Sequence, residues 1–171
     1  MSTYKDREAN DEDVRYVGGL IKRISNFDPD RYTNVFNERM KFQKTVYLIQ
    51  AFDIPLGFSF NWHVRGPYSP AVADVGFAFA DTYDEVSESE FTEERYEQRF
   101  QEFQEYINPF KNDTEKLEAA ASLHFLWKNN ENVNRDVLID YLLGEKDLPE
   151  TDFQDCEEYW QELVNLDAIG N

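Results

Sequence analysis

Catalysis or metal binding in this chain would have to be built from 2 His, 1 Cys and 35 acidic residues. His63 falls on the polar side of an alternating stretch, a position where a histidine sits exposed or hydrogen-bonded at a surface. His124 stands beside Leu117 and Trp127 at helical spacing and reads as a satisfied, half-buried side chain. Cys156 shares a helical face with Phe153, Trp160 and Leu163 and should behave as a small hydrophobe. A lone cysteine gives no disulfide framework, and two histidines do not make the usual His/Cys zinc site. Carboxylate pairs are plentiful, but in so acidic a chain such coincidences arise by chance. Asp140 with Glu145-Lys146 has nuclease-like residue types, yet these straddle a helix end rather than a strand hairpin. Neither a Gly-x-Ser-x-Gly elbow, nor a phosphate-cradling glycine loop, nor a helical histidine pair is present. The expectation is a non-enzymatic protein without metal or cofactor.

The unusual chemistry is cationic. The formal net charge is −18, from 17 Lys plus Arg against 35 Asp plus Glu. Between Arg39 and Arg65, however, Arg39, Lys41, Lys44 and Arg65 face a single acid, Asp53. Lys44, Tyr47, His63, Arg65 and Tyr68 are therefore the candidate partner-binding residues. Gln43, Trp62, Gly66, Pro67 and Ser69 read as the structural motif that presents them. Gln43 is expected to reach back and hydrogen-bond the strand or the Gly-Pro turn, tying helix to hairpin.

These residues need elements to position them. Val14, Val17, Ile21 and Ile24 recur at helical spacing from Asp11 to Phe27, with Asp28-Pro29-Asp30 as the stop. Gly18-Gly19 inside that run implies close packing against a neighbour. A polar connector follows, then a helix from Glu38 to Phe52. Phe58, Phe60, Trp62 and Val64 alternate with polar residues and predict a strand with one apolar face. Gly66-Pro67-Tyr68 reads as a turn, and Ser69-Pro70 as the cap and first position of a short helix. Asp84 to Glu90 is the expected partner strand, because a lone strand leaves its backbone groups unpaired. Thr92 should cap a long helix, with Phe91 stapled onto Tyr96 and Tyr96, Phe100, Phe103 and Ile107 forming a core stripe. Further helices are expected over Glu115 to Asn129, over Asn134 to Leu143 with Gly144 as its end, and after a Thr151–Gln154 capping box.

The segment from Lys41 to Val75 holds the densest pattern. Lys41-x-Gln43-Lys44-x-x-Tyr47-Leu48 precedes Phe58-x-Phe60-x-Trp62-x-x-x-Gly66-Pro67-Tyr68-Ser69-Pro70. Here the sequence resembles the YwgA-like family of small bacterial and archaeal proteins and the related antitoxin modules of the Panacea and SocA type. The later pattern of Leu117, Ala121, Phe125-Leu126 and Tyr159-Trp160 is similar to that family's closing helices. Phe42 departs from the usual Leu, and Lys146-Asp147 stands where Lys-Pro is common. The resemblance implies a non-enzymatic interaction protein, antitoxin-like or regulatory, whose protein partner could be a cognate toxin. A winged-helix-type DNA-binding regulator and an acidic DNA mimic are the alternatives, and a homodimer is compatible with the sequence.

The resulting expectation is an α+β fold, mainly α, with a small winged-helix-like β-hairpin. Residues 1–13 should form a flexible acidic N-terminus and 14–171 one globular domain. Hydrophobic residues make up 41% of the chain, enough for a core of the size that such a length supports. No apolar run reaches the roughly 20 residues of a membrane span, and Met1 to Asp13 lacks a signal-peptide core. A cytoplasmic protein is the expectation. The carboxylates are spread along the chain, which suits adaptation to high salt, where the Debye length shrinks to about 3 Å at 1 M. An acidic face for a basic partner and simple mesophilic acidity are the other readings of the charge.

Overall fold

The computed structural model describes residues 10–170. The expected N-terminal segment falls largely outside them, except that Asp11 to Asp13 are already helical and Asn10 caps them. Asn10 caps α1 (Asp11–Ile24) by accepting from the Asp13 amide at 2.9 Å, while the Asp13 carboxylate takes the Asn10 amide. The boundary drawn at residue 14 therefore cuts through the first turn of a helix. Gly18 does mark a close approach, since a Cβ there would lie 2.6 Å from the Phe79 ring.

α1 ends before the expected stop, on Ser25 with φ +66°. Asp28-Pro29 then does the opposite of what its composition suggested. The Asp28 carboxylate accepts from the Asp30 and Arg31 amides and Pro29 opens α2 (Pro29–Tyr32). Proline is well suited to a first helical position, where its missing N–H is not needed.

α3 (Phe36–Ala51) is the central helix, with every residue from Met40 to Ile49 buried. It packs on α6 (Thr114–Asn129), which also meets α7 (Arg135–Glu145) and α8 (Phe153–Asn165). Ala119, Ala120 and Ala121 are wholly buried, and their small side chains let neighbouring helices approach α6 closely. α4 (Pro70–Asp81) lies on α1 and begins as the sequence indicates, with the Ser69 hydroxyl accepting from the Val72 amide. α5 (Glu94–Ile107) sends Phe100, Phe103 and Ile107 into the core. Phe91 meets Tyr96 at 6.2 Å between ring centroids, the expected staple.

Other boundaries differ from expectation as well. α5 starts at Glu94 with no side-chain cap, not at Thr92. Gly144 lies inside α7, with open space around it, and does not terminate the helix. The last capping box is Asp152 with Asp155, one residue beyond Thr151–Gln154, because the Thr151 hydroxyl is turned to Glu115.

The sheet has two short antiparallel strands, β1 (Asn61–His63) and β2 (Gly66–Tyr68), with Trp62 opposite Pro67. The segment read as a turn is thus the second strand, and Val64-Arg65 make the turn. Asp84 to Glu90 does not pair with β1; it holds part of a 3₁₀ turn, Tyr83–Glu85, and buried Val86. The chain is α+β and mainly α, with the hairpin held against α3 and α6.

Candidate protein-binding site

The hairpin is too short to hold itself by strand pairing alone, and helix α3 completes it. Gln43 donates from Nε2 to the Ser69 carbonyl at 2.8 Å and accepts the Ser69 amide on Oε1 at 3.0 Å. This is the tie expected from the sequence. Two turns on, Gln50 repeats it around Phe58, donating to its carbonyl at 2.9 Å and accepting its amide at 3.0 Å. Each glutamine presents the donor–acceptor pair that a neighbouring peptide unit would offer. Between them, Lys44 Nζ donates to the Pro67 carbonyl at 2.6 Å.

Lys44 is fully buried. Burial is the main reason its ammonium is held down to about 7, a loss only partly offset by the charge of Glu118. Glu118, on α6, is itself buried, and burial raises its carboxyl above the ordinary value against the pull of Lys44 and Arg65. One of its oxygens, Oε1, lies 3.9 Å from Arg65. The other, Oε2, and the buried Ser122 hydroxyl one turn along α6 have no hydrogen-bond partner among the described residues. Gly66 sits directly above them at φ +88°, and a Cβ there would strike Ser122 Oγ.

This arrangement corrects the sequence reading of Lys44 and Tyr47. Neither belongs to the exposed hairpin surface, because α3 is buried from Met40 to Ile49 and both side chains make interior hydrogen bonds. The Tyr47 hydroxyl meets His124 Nδ1 at 2.7 Å. Burial, then the charge of Lys128, holds His124 down to about 4, so its ring is neutral. The neutral ring and the Tyr47 hydroxyl satisfy one another across this bond, the ring's tautomer deciding which donates. His124 is thus the satisfied histidine its spacing suggested. Cys156 is likewise buried, and burial pushes its thiol up to about 12, far from a nucleophilic thiolate. No group of three or more His, Cys, Asp or Glu suited to a metal ion occurs among the described residues.

The local basic excess also shrinks on folding. Glu38, just ahead of the stretch, pairs with Lys41 at 2.7 Å, and Lys44 is inside. What reaches solvent is the hairpin tip. Val64 is 83% exposed, the His63 ring lies 5.0 Å from that of Tyr68, and the Arg65 side chain is 45% exposed. Arg65 lies 5.7 Å from the ring of Phe36, and Arg39 approaches the same ring at 5.8 Å. Phe36 itself is 47% exposed. Trp62 faces the other way, stacked on Phe125 at 5.5 Å with Lys146 Nζ 4.2 Å from its ring. The same ammonium donates to the His63 carbonyl.

No family model, curated protein or solved structure matches the chain. What its surface can do is therefore argued from these residues. Phe36, Gln50, Glu118, Ser122 and Lys146 belong to the site, and sequence reasoning did not select them. Gln50 had a signal, lying seven residues after Gln43 on the same helical face. Glu118 and Ser122 had only their i, i+4 spacing, common on any helix.

Proposed function

We propose that this chain is a non-enzymatic protein-interaction module, antitoxin-like or regulatory, working in a salt-rich cytoplasm. Its contact surface is the hairpin tip with the start of α3. The observation that carries this reading is the approach of both Arg39 and Arg65 to the exposed ring of Phe36. Arginine and aromatic side chains are those that dominate binding energy at protein interfaces. Two guanidiniums beside an apolar ring on a chain of net charge −18 favour a partner that sets an apolar residue among carboxylates.

The clasp beneath supports the same reading. Gln43, Lys44 and Gln50 fix the hairpin backbone through α3, so the surface is presented with little ordering left to do on binding. No helix among the described residues is long and apolar enough to cross a membrane.

The test is co-expression with the products of adjacent genes, reading complex formation and relief of growth arrest. Arg65→Glu and Phe36→Asp should each abolish both, while Tyr141→Ala, on a separate face, should leave them intact. If no product is bound or neutralised, or if Arg65→Glu performs like the native chain, the proposal fails.

A further inference from the structure

A cleft separate from the hairpin tip opens between α3, the segment entering β1, and α6. This half-open cleft has a volume of about 590 Å³, within the roughly 300–1,000 Å³ typical of small-molecule sites. Its walls combine aromatic rings with the polar side chains of Gln50, Ser59, Asn61 and Asn129, and the rings are held in place from behind. Tyr47 meets Phe60 edge-on at 5.0 Å, and Phe125 is backed by the stacked Trp62 ring. Phe58 lines the cleft too, and both of its backbone polar groups are engaged by Gln50.

The polar atoms of the floor satisfy each other, because the Tyr47 hydroxyl and His124 Nδ1 are already bonded. The floor therefore offers ring faces rather than free donors. Charge comes from the mouth, where exposed Lys128 lines the cleft. Lys128 has no carboxylate within ion-pair distance among the described residues. Its ammonium acts far enough inward to help keep the His124 ring neutral.

We infer that this cleft binds a flat aromatic anion, its ring against Phe60 and Phe125 and its negative group on Lys128. This second site is independent of the hairpin surface. An aromatic ligand gains from burial against rings that are fixed beforehand. Lys128 is the one Lys or Arg among the lining residues, and it selects the sign of charge by attracting an anionic group and repelling a cationic one.

The probes are 8-anilinonaphthalene-1-sulfonate and its uncharged counterpart N-phenyl-1-naphthylamine, titrated by fluorescence into the folded chain. Saturable binding of the sulfonate at one class of site is expected. Lys128→Gln, a surface change that leaves the core intact, should weaken the sulfonate about fivefold and leave the uncharged probe unchanged. Phe60→Ala should weaken both. Val137→Asp lies in the neighbouring groove of Trp62 and Tyr141 and should alter neither. Non-saturating fluorescence, an unchanged sulfonate affinity in Lys128→Gln, or loss of binding in Val137→Asp would each overturn the inference.

Discussion

Lys44 is the residue whose burial has the largest consequence. Its ammonium is held down to about 7 by desolvation, so above that pH the folded chain has shed a proton that the unfolded chain keeps up to about 10.5. At this group the unfolded state binds more protons in that window, so the Lys44 contribution to stability rises with pH across it. Above about 9, burial of Cys156 and of tyrosines such as Tyr16 and Tyr159 opposes it. Glu118 acts in the opposite sense at lower pH, because its folded carboxyl is raised and retains a proton that the unfolded chain loses. Urea denaturation from pH 7 to about 9, below the range where Cys156 titrates in the unfolded chain, should show the gain in the native chain and its absence in Lys44→Met. Replacing Lys44 alone leaves Glu118 buried beside fewer cations, whereas Lys44→Met with Glu118→Leu removes both charges. The double variant should be more stable than Lys44→Met, as expected where desolvation exceeds the attraction within a buried pair. A double variant less stable than the single would refute this account. The sequence showed which helix carries Lys44 but not its burial. Polar side chains on a helix normally mark its wet face. Here Gln43, Lys44 and Thr45 are interior because each finds a backbone carbonyl or amide to bond.

At the scale of elements, the hairpin's position against α6 depends on Gly66. Gly66→Ala should cost about 1–3 kcal/mol through its positive φ and through collision with Ser122 Oγ. Ser122→Ala alone should be nearly neutral, since that hydroxyl bonds nothing among the described residues. Added to Gly66→Ala, it should recover the collision but not the dihedral strain, as thermal unfolding would show. The join of α1 to α5 depends on Arg23, which bonds Glu97 through both nitrogens at 2.8 and 2.5 Å. That hydrogen bonding holds the Glu97 carboxyl down to about 2. Its contribution is complete above about 4.5 and is lost as pH falls through 2. Glu97→Gln should therefore differ in stability from the native chain near neutrality and converge with it in strong acid. Element identity was more legible than element edges. Ser69-Pro70 announced α4 because cap and first-turn proline act locally. Gly66-Pro67-Tyr68 was misread because its strand character is imposed by Lys44 and Asn61 across the fold, not by its own propensity.

For the molecule as a whole, the charge of −18 opposes compaction by self-repulsion that salt relieves. The midpoint of thermal unfolding should rise steadily from dilute buffer to about 1 M KCl, where screening reaches within about 3 Å. A midpoint that falls with salt would mean that the ion pairs outweigh the repulsion. The mainly helical fold was legible because core positions such as Val17, Ile21, Phe100 and Phe103 repeat at helical spacing. The proposed contact surface was only half legible. His63, Arg65 and Tyr68 come from the hairpin that the motif flagged, whereas Phe36 reaches them only because α3 starts two residues earlier than its apolar pattern.

The two glutamine brackets also bear on the order in which the chain assembles. The Ser69 and Phe58 amides each bond to a side chain of α3, so neither can be sheltered until that helix has formed and docked. In hydrogen–deuterium exchange the two should slow together, 11 positions apart in the chain, and follow the kinetics of α3 rather than those of the adjoining strands. A hairpin that closes only against a finished helix is a late event in folding and an early one in local opening.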